Sequence, residues 1–500
     1  MTAVTLIGGL IGIWLVVILI RAALYRPILA DTPLKTPQAG RFDLDQAAQH
    51  LAEMVRCRTV APENDRSNSK NGGGFEQFEK FRRLLMEFYP LTHSKLEFEI
   101  IDDQALLYRW VGKSSEKPLL LTAHYDVVPA EDEQWQHPPF DGVIKDGVIW
   151  GRGTIDTKCT LCGIFESVEA YLSEGFMPEQ DIYLAFGHDE ETTGSGAHAI
   201  AQILKSRGVH PEMVYDEGGA IVLNAFPGVS KPVAYVGTSE RGLANLEFIL
   251  DCKGGHSNSP GHHTPFSVMS KIILSIEQNL FRPHMSAEIR EMFDLLGRHT
   301  PFFYRIIFAN LWCFKPLLIS LIARVSREMN ATLRSTCVFT MAEGSSAPNV
   351  MPERVRAVAN LRLSARDPIE KAFQQIKAKA LAVSKSARQA KDPIVLEVNL
   401  LEGRSASPSS SSGSKAFNIL KQTINESFQD IIVTPFISMG ASDSRHYCAI
   451  SENVFRFIPV VLDKEELRSM HGLNEKITVE KLGLIIDFYL NLIGRYQSQI

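Results

Sequence analysis

The sequence predicts an α/β fold in which a mainly parallel sheet domain is interrupted by a smaller, inserted α+β domain. Three patterns support this prediction. Between residues 118 and 215, short apolar runs alternate with helix-like segments, which is typical of parallel strands covered by helices. From about residue 239, strand-like segments instead alternate apolar and polar side chains, as half-exposed strands do. Residues 404–500 return to the first pattern, as expected when one domain is inserted into another.

The elements can be placed in order along the chain. Helical periodicity and buried apolar runs alternate through the main domain. These segments are helices 43–55 and 75–88, strand 118–123, helix 159–172, strand 181–187, helix 196–207 and strand 213–215. The inserted domain has alternating strands at 243–252 and 355–363, and the chain closes with a helix at 479–493.

Five hundred residues exceed what one compact core usually holds, so more than one domain is expected. The predicted segments are an N-terminal membrane anchor and linker at 1–40, the main domain at 41–238 and 404–500, and the insertion at 239–403. Residues 32–40, with two prolines and a glycine, predict the linker. The serine-rich stretch 404–414 predicts a mobile connection.

A membrane anchor is predicted because residues 4–20 carry no charged side chain and are followed by Arg21. These 17 residues span about 26 Å as a helix, enough to cross a bilayer core. No basic side chain precedes them, as a cleaved signal peptide would require, so an uncleaved single-pass anchor is favoured. Basic residues after the helix favour a cytoplasmic enzyme domain, whereas Asn330 and Asn425 match glycosylation acceptors. The side of the membrane stays open, and cleavage of the segment would give a secreted protein.

One segment of the insertion, residues 301–322, is strongly apolar but is interrupted by Arg305 and Lys315. These two charges argue against a second membrane span. Two interpretations stay open for it: a buried pair of helices, or an apolar lid over a lipophilic substrate.

Composition excludes two classes of protein. A net charge of −5 and a pI near 6.3 give no electrostatic basis for binding nucleic acid, so no nucleic-acid partner is expected. The seven cysteines are scattered and odd in number, which does not fit a disulfide framework. Cys159 and Cys162 form a C-x-x-C pair, but no second ligand pair has zinc-site spacing, so we interpret them as two thiols of a helix.

Four clusters of acidic residues and histidine follow predicted strands. They are His124-x-Asp126, Asp156, Glu190-Glu191 and Asp216-Glu217. The carboxyl ends of parallel strands are where such sheets bind ligands. Imidazole and carboxylate groups without cysteine are typical of a catalytic zinc site. Each cluster alone is more often a surface or capping feature, but four in succession predict a metal site.

The spacing within the clusters suits this chemistry. His124 and Asp126 are two residues apart on an extended segment and therefore point to the same side, so Asp126 can accept a hydrogen bond from the far imidazole nitrogen. Glu190 and Glu191 are adjacent and point to opposite sides, so one can bind metal while the other reaches a water. The glycines of the GRGTID string permit a tight turn that directs Asp156 inward.

The clusters belong to a set of eight sequence motifs along the chain. They are LLLTAHYDVVP, IWGRGTIDTK, GHDEETTGSGA, YDEGG, GGHSNSP, SSAPNVMPERV, GASDSR and MHGLNEKI. Together they resemble the aminoacylase-1, carboxypeptidase S and succinyl-diaminopimelate desuccinylase family of di-zinc amidohydrolases. The match runs in the family's order from about residue 45 to the C-terminus. It is most similar to the branch of carboxypeptidase S and the N-fatty-acyl-amino-acid synthase/hydrolase.

The resemblance implies two zinc ions. The implied ligands are His124 and Asp216 for one ion, Glu191 and His471 for the other, and Asp156 as the bridge. Asp126 would orient His124, and Glu190 would be the general base. Glu217 is the alternative to Asp216 as a zinc ligand, because other branches of the family use glutamate near this point. The sequence motif of the closer branch favours Asp216.

The resemblance also implies contacts with the substrate. His256 would help to stabilise the oxyanion, in some relatives across a homodimer formed through the inserted lid domain. Asn349, Arg362 and the Gly440 loop resemble contacts to the substrate carboxylate, although Arg362 also fits an ordinary surface position on a strand.

The implied activity is reversible, zinc-dependent hydrolysis of an amide bond to an amino acid. The substrate is either an N-acyl amino acid, including a fatty-acyl one, or a short peptide cleaved from its C-terminal side. A non-catalytic binding or receptor module is the alternative, but such a module should lack some ligands or Glu190, and all are present. A serine hydrolase that uses Ser195 is disfavoured, because the G-x-S-x-G pattern is absent there.

Overall fold

The computed structural model describes residues 3–27, 40–62, 75–131, 133–260, 263–278, 280–387 and 394–500. Residues 32–39 of the predicted linker lie outside these ranges. The chain forms two compact units. The first comprises Met1–Ser239, Glu291–Ala309 and Ser409–Ile500, and the second comprises Glu240–Arg290 and Asn310–Pro408. The assignment of 1–40 as membrane anchor and linker, of 41–238 and 404–500 as the main domain, and of 239–403 as the insertion stays a prediction.

The secondary structure alternates along the chain as follows. The helices are α1 (Ala3–Leu24), α2 (Leu44–Val55), α3 (Glu76–Phe88), α4 (Pro90–Lys95), α5 (Lys158–Ser173), α6 (Ser195–Ser206), α7 (Pro265–Glu277), α8 (Ala287–Arg298), α9 (Phe302–Phe308), α10 (Leu311–Val325), α11 (Arg327–Leu333), α12 (Ile369–Ala387), α13 (Lys415–Ser427), α14 (Ser444–Tyr447), α15 (Lys464–Ser469) and α16 (Val479–Gln499). The strands are β1 (Glu97–Ile101), β2 (Ala105–Trp110), β3 (Ser114–His124), β4 (Val143–Lys145), β5 (Val148–Trp150), β6 (Gln180–Gly187), β7 (Met213–Asp216), β8 (Ile221–Val222), β9 (Val233–Glu240), β10 (Gly242–Asp251), β11 (Gly255–His256), β12 (Thr336–Glu343), β13 (Val350–Met351), β14 (Arg354–Leu363), β15 (Val395–Arg404), β16 (Ile432–Ser438), β17 (Val454–Arg456), β18 (Val461–Leu462) and β19 (Lys476–Thr478).

The first unit is built on a ten-stranded sheet in the order β1-β2-β6-β3-β7-β17-β9-β8-β18, with β16 beside β9. The centre of this sheet is parallel, since β3 pairs in parallel with β6 and β7, and β7 pairs in parallel with β17. Strands β1 and β2 form an antiparallel edge. The predicted α/β fold with a mainly parallel sheet is therefore confirmed.

Helices cover this sheet because its central strands are apolar on both faces. Residues 119–121 of β3 are fully buried. Helices α5 and α16 pack against each other, and two hydroxyl groups of α5 form hydrogen bonds across the contact. Ser167 Oγ donates to the Ile486 carbonyl at 3.1 Å, and Tyr171 Oη donates to the Leu490 carbonyl at 2.8 Å. Helix α5 also carries the C-x-x-C cysteines, which are buried free thiols, as predicted.

The second unit is a four-stranded antiparallel sheet in the order β12-β14-β10-β15, packed against α7 and α12. Strand β10 alternates buried and half-buried residues along its whole length, as its sequence pattern predicted. Its inward side chains, among them Leu246, Phe248 and Leu250, join the apolar core of this unit. The unit therefore has α+β character.

Residues 291–309 belong to the first unit, although they lie inside the predicted insertion at 239–403. The reason is a cluster of aromatic rings. Phe293, Phe308 and Phe226 lie together with ring centroids 5.6, 5.8 and 5.9 Å apart. Aromatic contacts of this kind depend on tertiary structure and leave no periodic signal in the sequence.

The apolar stretch 301–322 forms most of α9 and α10, which are separated by a turn at 309–310. Phe303 in α9 is 81% exposed and Leu317 in α10 is 64% exposed. The interpretation of this stretch as a buried helix pair is therefore wrong, because these large apolar side chains point away from the protein.

The serine-rich segment predicted to be a mobile connection, 404–414, is held by hydrogen bonds instead. Ser410 is buried, and its backbone N–H donates to the Thr238 carbonyl at 2.8 Å. Its hydroxyl accepts from the Val454 N–H at 2.8 Å and donates to the Val454 carbonyl at 3.1 Å. These hydrogen bonds of Ser410 hold the segment in place, and amino-acid composition alone does not predict them.

Candidate metal centre

The predicted metal-binding side chains converge where the strands of the first unit end. His124 is the last residue of β3, and Asp216 is the last residue of the neighbouring parallel strand β7. Glu190 and Glu191 lie in the turn that follows β6, on the other side of β3. Because carboxyl ends of parallel strands meet at one edge of a sheet, side chains far apart in sequence are brought together there.

Asp156 lies between the two histidines and presents a different oxygen to each. His124 Nε2 is 3.1 Å from Asp156 Oδ1, and His471 Nε2 is 3.0 Å from Asp156 Oδ2. Each histidine has a second carboxylate neighbour. Glu217 Oε1 is 3.2 Å from His124 Nε2, and Glu191 Oε1 is 3.2 Å from His471 Nε2. The result is two pairs of an imidazole and a carboxylate, with the Asp156 carboxylate between them.

Glu217, and not Asp216, faces His124. Asp216 makes a different contact, since its Oδ2 accepts a hydrogen bond of 2.8 Å from the Ser444 N–H. Adjacent residues at the end of a strand project to opposite sides, so only one of the two can face the cluster. The geometry thus departs from the sequence-based preference for Asp216 and agrees with the competing residue.

The chemistry of the cluster fits divalent metal. Side chains of Asp156, Glu190, Glu191 and Glu217 are nearly buried and crowd around two imidazoles. Glu191 Oε1 is buried, and the His471 imidazole 3.2 Å away is its polar neighbour. Buried carboxylates need a compensating cation, and the mixture of imidazole and carboxylate without thiolate suits zinc.

The metal-free cluster holds protons that metal must displace. Hydrogen bonds with Asp156 and Glu191 raise the pKa of His471 to about 10, although partial burial opposes this. Burial, with a smaller contribution from the negative charge of Asp156, raises the pKa of Glu217 to about 8. At pH 7 both groups are therefore protonated without metal, whereas ligands bind zinc in their deprotonated forms.

We therefore expect zinc binding to release protons at pH 7, and the apparent zinc affinity to rise with pH up to the range of these two pKa values. Calorimetric titration of zinc into the metal-free protein checks this in two buffers of different ionisation enthalpy. Protons released into the buffer make the measured binding enthalpy differ between the two buffers. Equal enthalpies in both buffers would contradict the expected proton release.

Asp126 holds three parts of the cluster in place. Its carboxylate accepts the backbone N–H of Glu190 at 3.2 Å and of Glu191 at 3.0 Å. The same carboxylate lies 3.3 Å from His124 Nδ1, and the Asp126 carbonyl oxygen lies 3.0 Å from it. A proton on Nδ1 is thus satisfied, which leaves Nε2 of His124 free to face Asp156 and Glu217.

Glu475 supports the Asp156 turn, and the sequence reasoning missed it. This buried carboxylate accepts the N–H of Ile155 at 2.7 Å, that of Gly153 at 3.0 Å and that of Asp156 at 3.2 Å. It also forms an ion pair of 2.6 Å with Arg152. Glu475 lies in the MHGLNEKI string, so the signal was present, but a pairing over more than three hundred positions is not visible in one sequence.

Glycines allow the two turns that carry Asp156 and His471. Gly151 and Gly153 have φ values of +148° and +88°, which only glycine adopts readily. In the second turn, a Cβ on Gly472 would lie 2.4 Å from the Arg468 carbonyl oxygen. The tight turn predicted from the GRGTID string is therefore present.

Arg445 and Ser195 have structural contacts near the cluster. Arg445 donates to the carbonyls of Ser442 and Thr193, and its Nη1 is 3.9 Å from Glu190 Oε1. Ser195 Oγ donates to Asp189 at 2.7 Å at the start of α6. This hydroxyl has the role of a turn-stabilising group, so the geometry gives no support to a serine nucleophile.

The remaining predicted site residues lie elsewhere. Gly440 is exposed on the turn after β16 in the first unit. His256, Asn349 and Arg362 lie in the second unit. His256 is exposed in β11, and its Nδ1 accepts a hydrogen bond from the Asn258 N–H at 3.3 Å. Arg362 lies half-buried in β14, paired with β10 and β12. The roles of these four residues stay predictions.

Comparison with known proteins gives consistent matches over nearly the whole chain. The model of peptidase family M20/M25/M40 matches residues 120–495. Carboxypeptidase S-like 2 of Dictyostelium discoideum is 37% identical over 469 residues, which cover 91% of this chain and 86% of that protein. The N-fatty-acyl-amino acid synthase/hydrolase of Xenopus tropicalis is 33% identical over 456 residues, which cover 90% and 85%.

Solved structures share the fold. The M20 family metallo-carboxypeptidase Sso-CP2 from Sulfolobus solfataricus superposes with a TM-score of 0.65 and 17% identity, covering 90% of this chain and 99% of that one. At this level of identity the similarity shows the fold alone.

Proposed function

Because the chain belongs to peptidase family M20/M25/M40, we propose that it is a two-zinc hydrolase that cleaves, and in reverse forms, the amide bond between an acyl group and an amino acid. The resemblance predicted from the motifs is confirmed, as is the expectation of a metal-dependent amide hydrolase. The observation that carries the proposal is Asp156, which presents one carboxylate oxygen to each of His124 and His471. A non-catalytic module is not favoured.

We assign the ligands from the distances in the cluster. His124 and Glu217 would hold one zinc ion, Glu191 and His471 would hold the other, and Asp156 would bridge them. Zinc binds such side chains at about 2.0–2.2 Å, so two ligand atoms on one tetrahedral ion lie about 3.3–3.6 Å apart. The paired atoms are 3.0–3.2 Å apart, so a small outward shift of the side chains would bring them to this spacing.

The residues of the cluster divide the reaction between them. Zinc held by these side chains would supply Lewis-acid chemistry, which lowers the pKa of water and polarises a carbonyl group. Glu190 would accept the proton of the attacking water and deliver it to the leaving nitrogen. Burial raises the pKa of the Glu190 carboxyl well above its usual range, assisted by the nearby carboxylates of Glu217 and Asp443 and opposed by His124. A general base with a raised pKa retains the proton long enough to transfer it.

The N-acyl side of the substrate is proposed to be a fatty-acyl chain. One relative is named for N-fatty-acyl amino acids and another is carboxypeptidase S-like, so the family supports both substrate classes. The apolar N-terminal helix and the exposed apolar side chains of 301–322 favour the lipophilic one.

We expect kcat/KM to rise with acyl-chain length in a series of acetyl-, octanoyl- and oleoyl-phenylalanine. Each buried methylene contributes about 0.8 kcal/mol, so burying two more raises kcat/KM about fifteenfold. The series is measured with zinc-loaded full-length protein, and a dipeptide serves as the comparison substrate. Equal kcat/KM for the acetyl and oleoyl compounds, or fastest hydrolysis of the dipeptide, would contradict a fatty-acyl site.

We also propose that α1 is a retained single-pass anchor. Leu6–Leu24 has a mean hydropathy of 2.4 and is mostly exposed, as a helix surrounded by lipid would be. Its C-terminal end is built into the first unit, however. Ala22 and Tyr25 are buried, and Tyr25 Oη donates to the Asp294 carbonyl at 2.6 Å. Cleavage of the helix as a signal peptide would remove the end of α1 from the site in the first unit where it is buried.

Membrane sidedness and a homodimer through the second unit stay predictions. The part of the chain that the structure describes contains one straight helix that meets the length and hydropathy of a span. By composition alone, a signal sequence meets the same criteria.

A further inference from the structure

Helix α9 lies beside the end of the proposed anchor. Two hydrogen-bonded contacts fix this position, both within the first unit. Arg21 donates to the Ala309 carbonyl through Nε at 3.2 Å and Nη2 at 3.1 Å. In the opposite direction, Arg305 Nη1 donates to the Tyr25 carbonyl at 3.3 Å. The middle and the C-terminal end of α9 are therefore held near the point where the apolar segment of α1 ends.

A second contact makes this arrangement rigid. The Arg298 guanidinium lies 4.7 Å from the centre of the Tyr25 ring, and its Nη1 donates to the Arg26 carbonyl at 3.3 Å. Asp294 pairs with Arg298 at 2.9 Å and so fixes the guanidinium on the ring. The chain that leaves α1 is thus attached at several points to residues nearly three hundred positions later.

Helix α9 begins with three successive aromatic side chains that stay exposed to different degrees. Phe303 is 81% exposed, Tyr304 is 46% exposed and Phe302 is 37% exposed. Contiguous exposed rings of this size are uncommon on a water-facing surface. Aromatic side chains are, in contrast, enriched at the level where a membrane meets water.

The end of the apolar span sets the depth of this surface. Residues 4–20 are uncharged, and Arg21 is the first charged side chain after them, so the hydrocarbon core ends near Arg21. Because Arg21 contacts the last turn of α9, this short helix lies at the same level, between acyl chains and headgroups. The exposed basic residues Arg21 and Arg26 at that level would face lipid phosphates.

We propose that α9 is an interfacial membrane element, whose partner is the leaflet on the enzyme side of the bilayer, into which Phe302, Phe303 and Tyr304 insert. This inference rests on the proposed anchor and extends it. It predicts a second point of contact with lipid, which holds the first unit against the membrane surface instead of letting it move freely on a tether. Amphiphilic substrates of the proposed kind partition into the same leaflet.

Photo-crosslinking from single positions tests the proposal in the full-length protein. The protein is placed in phosphatidylcholine vesicles that contain an alkyne-tagged phosphatidylcholine. The photoreactive residue p-benzoylphenylalanine, which resembles phenylalanine in shape, replaces Phe303 in one variant. In a second variant it replaces Trp14 in the middle of α1. A third variant carries it at Met177, an exposed apolar residue in the loop after α5 that serves as the matched control.

We expect lipid adducts, detected as the added lipid mass, from positions 14 and 303 and none above background from position 177. Adducts at position 14 without adducts at 303 would overturn the interfacial role of α9 and leave the anchor intact. Adducts at 303 without adducts at 14 would support α9 and overturn the anchor. Absence of adducts at both positions, or equal labelling at 303 and 177, would overturn the proposal.

Discussion

Replacement of Glu190 with glutamine is expected to lower kcat about a thousandfold while the zinc content stays unchanged. A positioned general base contributes roughly 10²–10⁴ to the rate, and glutamine keeps the shape of the side chain but cannot accept the proton. The backbone N–H of residue 190 would still donate to Asp126, so the turn keeps its geometry. KM should change little, because the base acts on the attacking water and not on substrate binding.

Steady-state kinetics of the zinc-loaded variant, together with its zinc content, check this expectation. Glu190→Asp is the informative companion, since it restores a carboxylate that is one methylene shorter and should recover part of the rate. Wild-type kcat in Glu190→Gln would remove Glu190 from the mechanism. A variant that has lost zinc would show that Glu190 is a ligand instead of a base.

The second large effect concerns the adjacent acids at the end of β7. We expect Glu217→Gln to weaken the binding of one zinc ion by more than about a hundredfold, because residues that only support ligands already contribute 10–100-fold. Asp216→Asn should have the smaller effect. Its amide oxygen can still accept from the Ser444 N–H, which is the contact that Asp216 makes.

Competition of both variants against a coloured zinc chelator measures the two affinities in the same assay. The pair is matched, because each substitution replaces one carboxyl group with an amide of the same shape at neighbouring buried positions. If Asp216→Asn loses zinc and Glu217→Gln retains it, the ligand is Asp216, as the sequence motif predicted. The assignment of Glu217 from its distance to His124 would then be wrong.

Much of the fold could be predicted from the sequence because burial leaves a regular signal. Residues 119–121 read as a continuous apolar run, and they form the buried centre of β3. The alternation in β10 likewise reflects a strand with one face in the core. Such patterns depend on a residue and its near neighbours, so one sequence is sufficient to recognise them.

The sequence predicted that residues at the ends of strands form the metal centre, but it did not predict which of two adjacent acids faces the cluster. His124, Asp156, Glu191 and His471 meet as a cluster because they follow strands or turns at one edge of the sheet. Which of the two adjacent acids turns inward depends on the 442–445 turn, where the Ser444 N–H donates a hydrogen bond to the Asp216 carboxylate. That partner is more than two hundred positions away, and no local pattern reports it.

Tertiary contacts also explain the other departures. Residues 291–309 join the first unit through aromatic rings and through the end of α1, although their sequence resembles the rest of the insertion. Glu475 supports Asp156 from the opposite end of the chain. In each case the deciding interaction joins residues with a large separation in sequence, where neither periodicity nor composition carries information.

The most direct test of the two-zinc hydrolase is a zinc titration of chelator-treated protein, with bound zinc and hydrolysis of an N-acyl amino acid followed together. We predict that chelation abolishes hydrolysis and that activity returns with added zinc, reaching its plateau at two zinc ions per chain. Hydrolysis that survives complete removal of zinc, or a plateau at one zinc ion per chain, would contradict the shared role of Asp156 between His124 and His471.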